Sequence, residues 1–106
     1  MTIIDTDDIR SHYRGHGHWF DADAIRFFHS RVAATAYKTD DGSRAYFVSS
    51  ERYDFDTARK FTVRVYNFET HDIRTVGEFQ AYASRSGADA AARRLARHSS
   101  GEAVGV

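Results

Sequence analysis

Lys60–Phe68 reads KFTVRVYNF, and this stretch decides the fold. Its side chains alternate. Phe61, Val63 and Val65 point one way; Thr62, Arg64 and Tyr66 point the other. Such alternation is a strand with one face on the core and one face turned to solvent or a partner. The apolar face is the valine side, and the free face is the arginine–tyrosine side.

Working outward from this strand gives its neighbours. Glu69-Thr70-His71-Asp72 is a turn, Ile73–Val76 is the returning strand, and Gly77 ends it. On the other side, Arg52–Ala58 is a polar loop. Before it lie Val32–Thr39 and Arg44–Glu51, separated by Asp40-Asp41-Gly42-Ser43, a strong turn signal. That pair reads as a hairpin. Strands at hairpin spacing favour an antiparallel meander.

Helix signals flank the strands. Asp5 or Thr6 caps a first helix over Asp5–Arg14, Asp7 and Asp8 sit at the positive end of its dipole, and Ile9 and Tyr13 share a face. Gly15 and Gly17 break it. Asp21 caps a second short helix over about residues 22–30, which buries Ile25 and Phe28. Ser86 caps a third over about 87–98, with Ala88, Ala91, Ala92, Leu95 and Ala96 as its apolar face. Glu78–Ser84 fits either an extended segment or a helical turn. The expected fold is α+β: an antiparallel β-meander of about four strands, packed with two short N-terminal helices and a C-terminal helix. Residues 1–98 form one domain, and 99–106 form a flexible tail.

Composition bounds the function. At 106 residues the chain has room for one core, and eight Phe, six Tyr and one Trp supply much of its buried area. Cysteine is absent, which excludes disulfides and thiolate metal sites. Met1–Ile4 is followed at once by Asp5, Asp7 and Asp8, unlike a secretory leader, and no apolar run reaches the ~18 residues a membrane helix needs. Fifteen basic and fifteen acidic residues cancel, so no global basic field draws in nucleic acid. Thirteen of the basic residues are Arg and two are Lys, a bias that fits a GC-rich genome. Proline is absent, so turns rely on Gly, Asp and Asn.

Four candidate sites emerge. His12, His16 and His18, near Asp21 and Asp23, are metal-ligand types, but H-x3-H-x-H is not a standard ligand spacing, and Gly15 and Gly17 leave it poorly preorganised. Ser49, Ser50, Glu51, Asp54, Asp56 and His71 supply titratable and hydroxyl groups without a nucleophile elbow, and turn composition explains the acids and His71. Arg59, Arg64 and Arg74, with Tyr66, are placed on the exposed sheet face, where Arg and aromatics together suit nucleic acid or protein. Arg93, Arg94 and Arg97 form a second basic patch on the last helix. Trp19, Phe20, Tyr53, Phe55, Phe79 and Tyr82 are aromatics beyond what one small core needs, and such residues anchor interfaces.

Four stretches taken together carry a resemblance: WFDADAIRFFHSRV (Trp19–Val32), YFVSSE (Tyr46–Glu51), FTVRVYNFET (Phe61–Thr70) and IRTVGEFQAYASR (Ile73–Arg85). In this order they resemble a family of small uncharacterised proteins encoded by phages and prophages, over about residues 17–96. The resemblance implies a viral or mobile-element origin and transfers no residue role. Compact phage proteins that inhibit host machinery, anti-CRISPR proteins among them, usually act by binding. The zero net charge departs from acidic mimics of nucleic acid.

The expectation is therefore a non-enzymatic, phage-derived interaction protein of the host bacterial cytoplasm, an inhibitor of host defence of the anti-CRISPR type. Its partner would be a host protein or ribonucleoprotein complex, contacted by Arg59, Arg64, Tyr66 and Arg74 and by Arg93, Arg94 and Arg97. No catalytic residue, metal or cofactor is expected. A small nucleic-acid-binding regulator is the second reading, and a metal-dependent enzyme on His12, His16 and His18 is the third. An exposed edge strand at Val32–Tyr37 would allow a homodimer.

Overall fold

A computed structural model describes residues 1–13, 31–52 and 58–98 of the chain. Five strands and two helices lie in this part: β1 (Thr2–Asp5), α1 (Thr6–Tyr13), β2 (Arg31–Lys38), β3 (Arg44–Glu51), β4 (Lys60–Asn67), β5 (Ile73–Thr75) and α2 (Arg85–His98). The strands form one sheet in the order β1-β2-β3-β4-β5, with every neighbour antiparallel. The α+β meander is thus as the sequence predicts, with one strand more. β1 is only four residues long, and its own sequence is a weak signal. It is a strand because Thr2, Ile3, Ile4 and Asp5 pair with Lys38, Tyr37, Ala36 and Thr35. The expected helix over about 22–30 and the tail at 99–106 lie outside the described residues.

That extra strand corrects a further expectation. β2 is not an edge, because β1 pairs with one side of it and β3 with the other. The edges are β1 and β5, and both are short.

The β2–β3 hairpin folds around its turn chemistry. The Thr39 carbonyl accepts the Gly42 N–H at 2.9 Å, and Gly42 sits at φ +76°, where a Cβ would be strained. Asp41 Oδ1 accepts from the Ser43 N–H at 2.9 Å, the Ser43 hydroxyl at 2.8 Å and the Thr39 hydroxyl at 2.7 Å. The amino terminus adds an ion pair to Asp40. Further along, β2 is irregular. Val32 opposes Ser49 and Ala36 opposes Phe47, so four residue steps on β2 face two on β3. The Thr6 hydroxyl pins this bulge by donating to the carbonyls of Ala33 (2.9 Å) and Ala34 (3.2 Å). The adjoining Asp5 carboxylate accepts the Asp7 N–H at 2.8 Å and caps α1, as expected.

The helices lie on opposite faces of the sheet. α2 lays Ala88, Ala91, Ala92 and Ala96 on Tyr37, Tyr46, Val48 and Val63. α1 places Ile9 against Ala36, Ala45, Phe47 and Tyr66 on the other face. The alanine methyls already meet these side chains in a buried layer, so added volume there must push side chains off their rotamers or move backbone.

Two outcomes follow. Ala92→Leu lowers stability by about 1–3 kcal/mol in urea unfolding, whereas Ala90→Leu on the exposed side of α2 stays within about 0.5 kcal/mol. The Ser43 N–H, then the Thr39 and Ser43 hydroxyls, hold the Asp41 carboxyl down to about 2 from 3.8. A depressed carboxylate stabilises the fold fully above its unfolded value and loses that contribution as the pH falls through the folded one. The melting-temperature gap between wild type and Asp41→Ala is therefore widest above about pH 5 and narrows towards about pH 2.

Candidate functional site

β4 alternates as its sequence predicts: Phe61, Val63 and Val65 belong to the α2 side, and Thr62, Arg64 and Tyr66 face the other way. That second face is not free. Tyr66 is 0% exposed, covered by Ile9, Ala36, Ala45 and Phe47. Its ring meets Phe68 edge-on at 4.8 Å, and its hydroxyl lies 2.9 Å from His71 Nδ1. The physical reason is α1. It crosses to this face and needs an apolar bed for Ile9, and tyrosine supplies both the bed and a hydroxyl that reaches the rim.

Arg64 is drawn into the protein by a buried carboxylate. Glu51 is 0% exposed, and its Oε2 lies 3.4 Å from Arg64 Nη2. Glu51 also accepts the Ser49 hydroxyl at 2.5 Å and the Thr62 hydroxyl at 2.9 Å. Arg64 Nε donates to Ser49 Oγ at 3.1 Å, and Nη1 donates to Thr75 Oγ1 at 3.1 Å. Thr62 Oγ1 in turn accepts the Gln80 N–H at 2.8 Å, with Gln80 held at φ +60°. Gln80 Nε2 reaches the Glu51 carbonyl at 3.3 Å. Ser49, Glu51 and Thr62 have no solvent-facing surface to offer a substrate, and both hydroxyls act as donor and acceptor at once. The cluster therefore neutralises a charge inside the fold and ties β3, β4, β5 and the segment at Gln80 together.

The remaining arginines scatter. Arg74 is cross-strand from Val65, whereas Arg64 is cross-strand from Thr75, so Arg64 and Arg74 occupy opposite faces of the sheet. Arg74 is 76% exposed and pairs with Asp72 at 3.4 Å. Arg59 precedes β4 and donates from Nη1 to the Ser50 carbonyl (3.1 Å) and hydroxyl (3.0 Å). Arg59, Arg64, Tyr66 and Arg74 thus do not form one surface, which overturns the expected arginine–tyrosine sheet face. Period-two reading assigns faces within a strand. It does not tell which loop residue joins a face, or what lies over it.

The other predicted group does come together. Arg93, Arg94 and Arg97 are all exposed on α2. Arg93 sits 5.3 Å over the Tyr37 ring. The Tyr37 hydroxyl donates to the Asp89 carboxylate, 2.7 Å from Oδ1 and 2.8 Å from Oδ2. Burial, then the bond to Asp89, push the Tyr37 hydroxyl up from its ordinary pKa, and the contact with Tyr37 raises that of Arg93. Tyr37 and Asp89 are residues the sequence did not single out. The available signal was spacing, since Asp89 and Arg93 stand four apart on one helix face.

His12 meets the Phe68 ring edge-on at 5.1 Å and stacks on His71 at 6.1 Å. Among the described residues no three His, Asp or Glu side chains gather as a metal site. His16 and His18 lie outside them, as do Trp19, Phe20, Tyr53 and Phe55. Phe79 is exposed, 5.7 Å from the Arg64 guanidinium, and Tyr82 packs partly buried against the α2 side of the sheet. No helix among the described residues is long and apolar enough to cross a membrane.

Residues 6–93 match the model of a family of unknown function, DUF7447. The chain belongs to this family. The DUF7447 match takes in α1, β2 to β5 and most of α2, including the Glu51–Arg64 cluster and the Tyr37–Asp89–Arg93 contact, and it leaves out β1, Arg94 and Arg97. No curated protein and no solved structure matches the chain.

The cluster makes a direct prediction. Glu51→Ala strands Arg64, Ser49 and Thr62 without their acceptor, and lowers stability by about 3–5 kcal/mol. Denaturant unfolding measures it, with Arg74→Ala within about 0.5 kcal/mol as the exposed comparison.

Proposed function

We propose that this protein is a non-enzymatic interaction module that docks an acidic surface of a partner protein against the arginines of α2. One observation carries the reading. Arg93, Arg94 and Arg97 stand exposed together, and Asp89, the carboxylate that acts on Arg93, is occupied by the Tyr37 hydroxyl. Arg93 is already held over an aromatic ring, so less side-chain freedom is lost when it is used. Exposed arginines on an ordered support are common anchors of protein interfaces.

A phage origin and a role in blocking host defence belong to the same proposal. They rest on the resemblance of the motifs quoted above, and the partner would then be a host protein or ribonucleoprotein complex. The sheet contributes less than expected, because Tyr66 is buried and offers no ring for a base to stack on.

The experiment is capture from a bacterial lysate with wild-type bait and with the triple variant Arg93→Glu, Arg94→Glu, Arg97→Glu. Wild type retains a partner through nuclease treatment, and the variant loses it while keeping the wild-type circular dichroism spectrum. Equal retention by both baits, or none by wild type, removes the proposal. Loss of the partner on nuclease treatment transfers it to nucleic acid.

A further inference from the structure

The α2 face of the sheet is covered unequally. α2 packs on Tyr37 of β2, Tyr46 and Val48 of β3 and Val63 of β4, so it runs over β3. β1 lies two strands away, about 10 Å at the usual strand spacing. Ile3 is directly across from Tyr37, so both side chains project from this face. Met1, on the same side of β1, packs against the alanine layer. Ile3 is 61% exposed. Beside Tyr37 a cleft runs between β2 and α2, lined by Ala33, Ala34 and Val48 from the strands and by Arg85 and Asp89 from α2. Tyr37 borders both features, so Ile3 and the cleft make one apolar strip alongside α2.

The α2 border of this strip is positive. Positions 85, 89, 93 and 97 stand in one row at four-residue spacing. Arg85 and Asp89 line the cleft, Arg93 lies over the Tyr37 ring, and Arg97 is exposed in the last turn. Three guanidinium groups thus share a row with one carboxylate, and that carboxylate accepts the Tyr37 hydroxyl. Asp5, on the same side of β1 as Ile3, is used as the cap of α1.

The dimensions choose the occupant. Packed helices lie about 8–10 Å apart, so a helix laid beside α2 has its axis over β1, where Ile3 stands. A single extended segment is about half as wide as a helix and leaves either Ile3 or the cleft uncovered. A helix also presents two stripes at once, apolar side chains to the sheet and carboxylates to the arginine row. We propose that an amphipathic helix of the partner protein docks alongside α2, with its apolar stripe on Ile3 and the cleft and its Asp or Glu side chains on Arg85, Arg93 and Arg97. This rests on the reading of the α2 arginines given above. It adds the partner's secondary structure, its apolar anchors and the β1–β2 half of the site.

The test is selection of displayed random peptides of about 20 residues, long enough for several helical turns, on the immobilised full chain. The enriched sequences are then synthesised with a fluorescent label and titrated by fluorescence polarisation. They carry apolar residues at i, i+3 or i+4, and i+7, have net negative charge, and gain helical circular dichroism on binding. Ile3→Glu and Ala34→Glu, at exposed positions of two different strands, each weaken them by about tenfold or more, the scale of one interface anchor. Arg93→Glu does the same, and Arg74→Glu, at the far edge of the sheet, leaves binding unchanged. Acidic peptides that lack the apolar spacing and respond to Arg93→Glu alone overturn the helix and leave the α2 arginines standing. Peptides that are not acidic, or that bind Arg93→Glu as they bind wild type, overturn both. Enriched sequences with strict apolar alternation and no helical signal overturn the helix in favour of a strand added at β1. An empty selection overturns it too, and the lysate capture then decides on the arginines by itself. A wild-type dimer in light scattering that Ile3→Glu converts to monomer assigns the strip to a second copy of the chain and overturns the partner helix.

Discussion

Strand β3 is sandwiched: β2 and β4 flank it, and α1 and α2 help cover its two faces, so every residue from Ala45 to Glu51 is buried. Four of these seven are apolar or aromatic and meet that demand by packing. The last three, Ser49, Ser50 and Glu51, are polar and must find partners inside the protein, because water does not reach them. Much of the chemistry of the molecule follows from those three residues. Ser49 and Glu51 face the α1 side and recruit Thr62 and Arg64 from β4. Ser50 faces the α2 side and recruits Arg59 from the connection before β4. One buried strand end thus fixes two arginines on opposite faces of the sheet.

The same constraint explains why the surface differs from what alternation alone suggests. A strand with a polar face is normally read as half-solvated, and for β4 that reading fails because the polar face meets other polar groups that are themselves buried. A charged residue goes inward only when a partner there compensates its lost hydration. Arg64 has Glu51, two hydroxyls and a near-aromatic contact to compensate it. Arg74, on β5 two strands away from β3 and on the other face, remains in solvent beside Asp72.

Much of the fold was legible because it rests on local rules. The Asp41–Gly42 turn, the β4 alternation, the alanine face of α2 and the Asp5 cap are each encoded within a few residues. What was not legible is relational. β1 exists through its pairing with β2, and the bulge at Val32–Ala36 exists because Thr6, about thirty residues upstream, satisfies its carbonyls. For the candidate sites, Arg93, Arg94 and Arg97 were readable as one patch because helix periodicity gathers them. Arg59, Arg64 and Arg74 were not readable as separate, because their faces depend on cross-strand register. Ser49 directly opposite Thr62, with Glu51 and Arg64 diagonal to that pair on the same face, is a visible pattern once that register is known.

Net charge is the last quantity that the fold reinterprets. Equal numbers of acids and bases cancel over the whole chain, but cancellation at a distance requires that fields overlap. Among the described residues, Asp40, Asp41, Glu69 and Asp72 sit at the hairpin end of the sheet, where the amino terminus pairs with Asp40, Arg74 pairs with Asp72, and Arg44 lies opposite Asn67. Arg31, Arg52, Arg59, Lys60 and Arg85 sit at the opposite end, where Glu51 pairs with Lys60 and Arg31 with Ser50. Strands of eight residues separate the two ends by about 26 Å. That is about three times the ~8 Å screening length of physiological salt. Charges at one end are therefore balanced by their own neighbours and not by the far end, and the zero sum of the sequence describes neither end by itself.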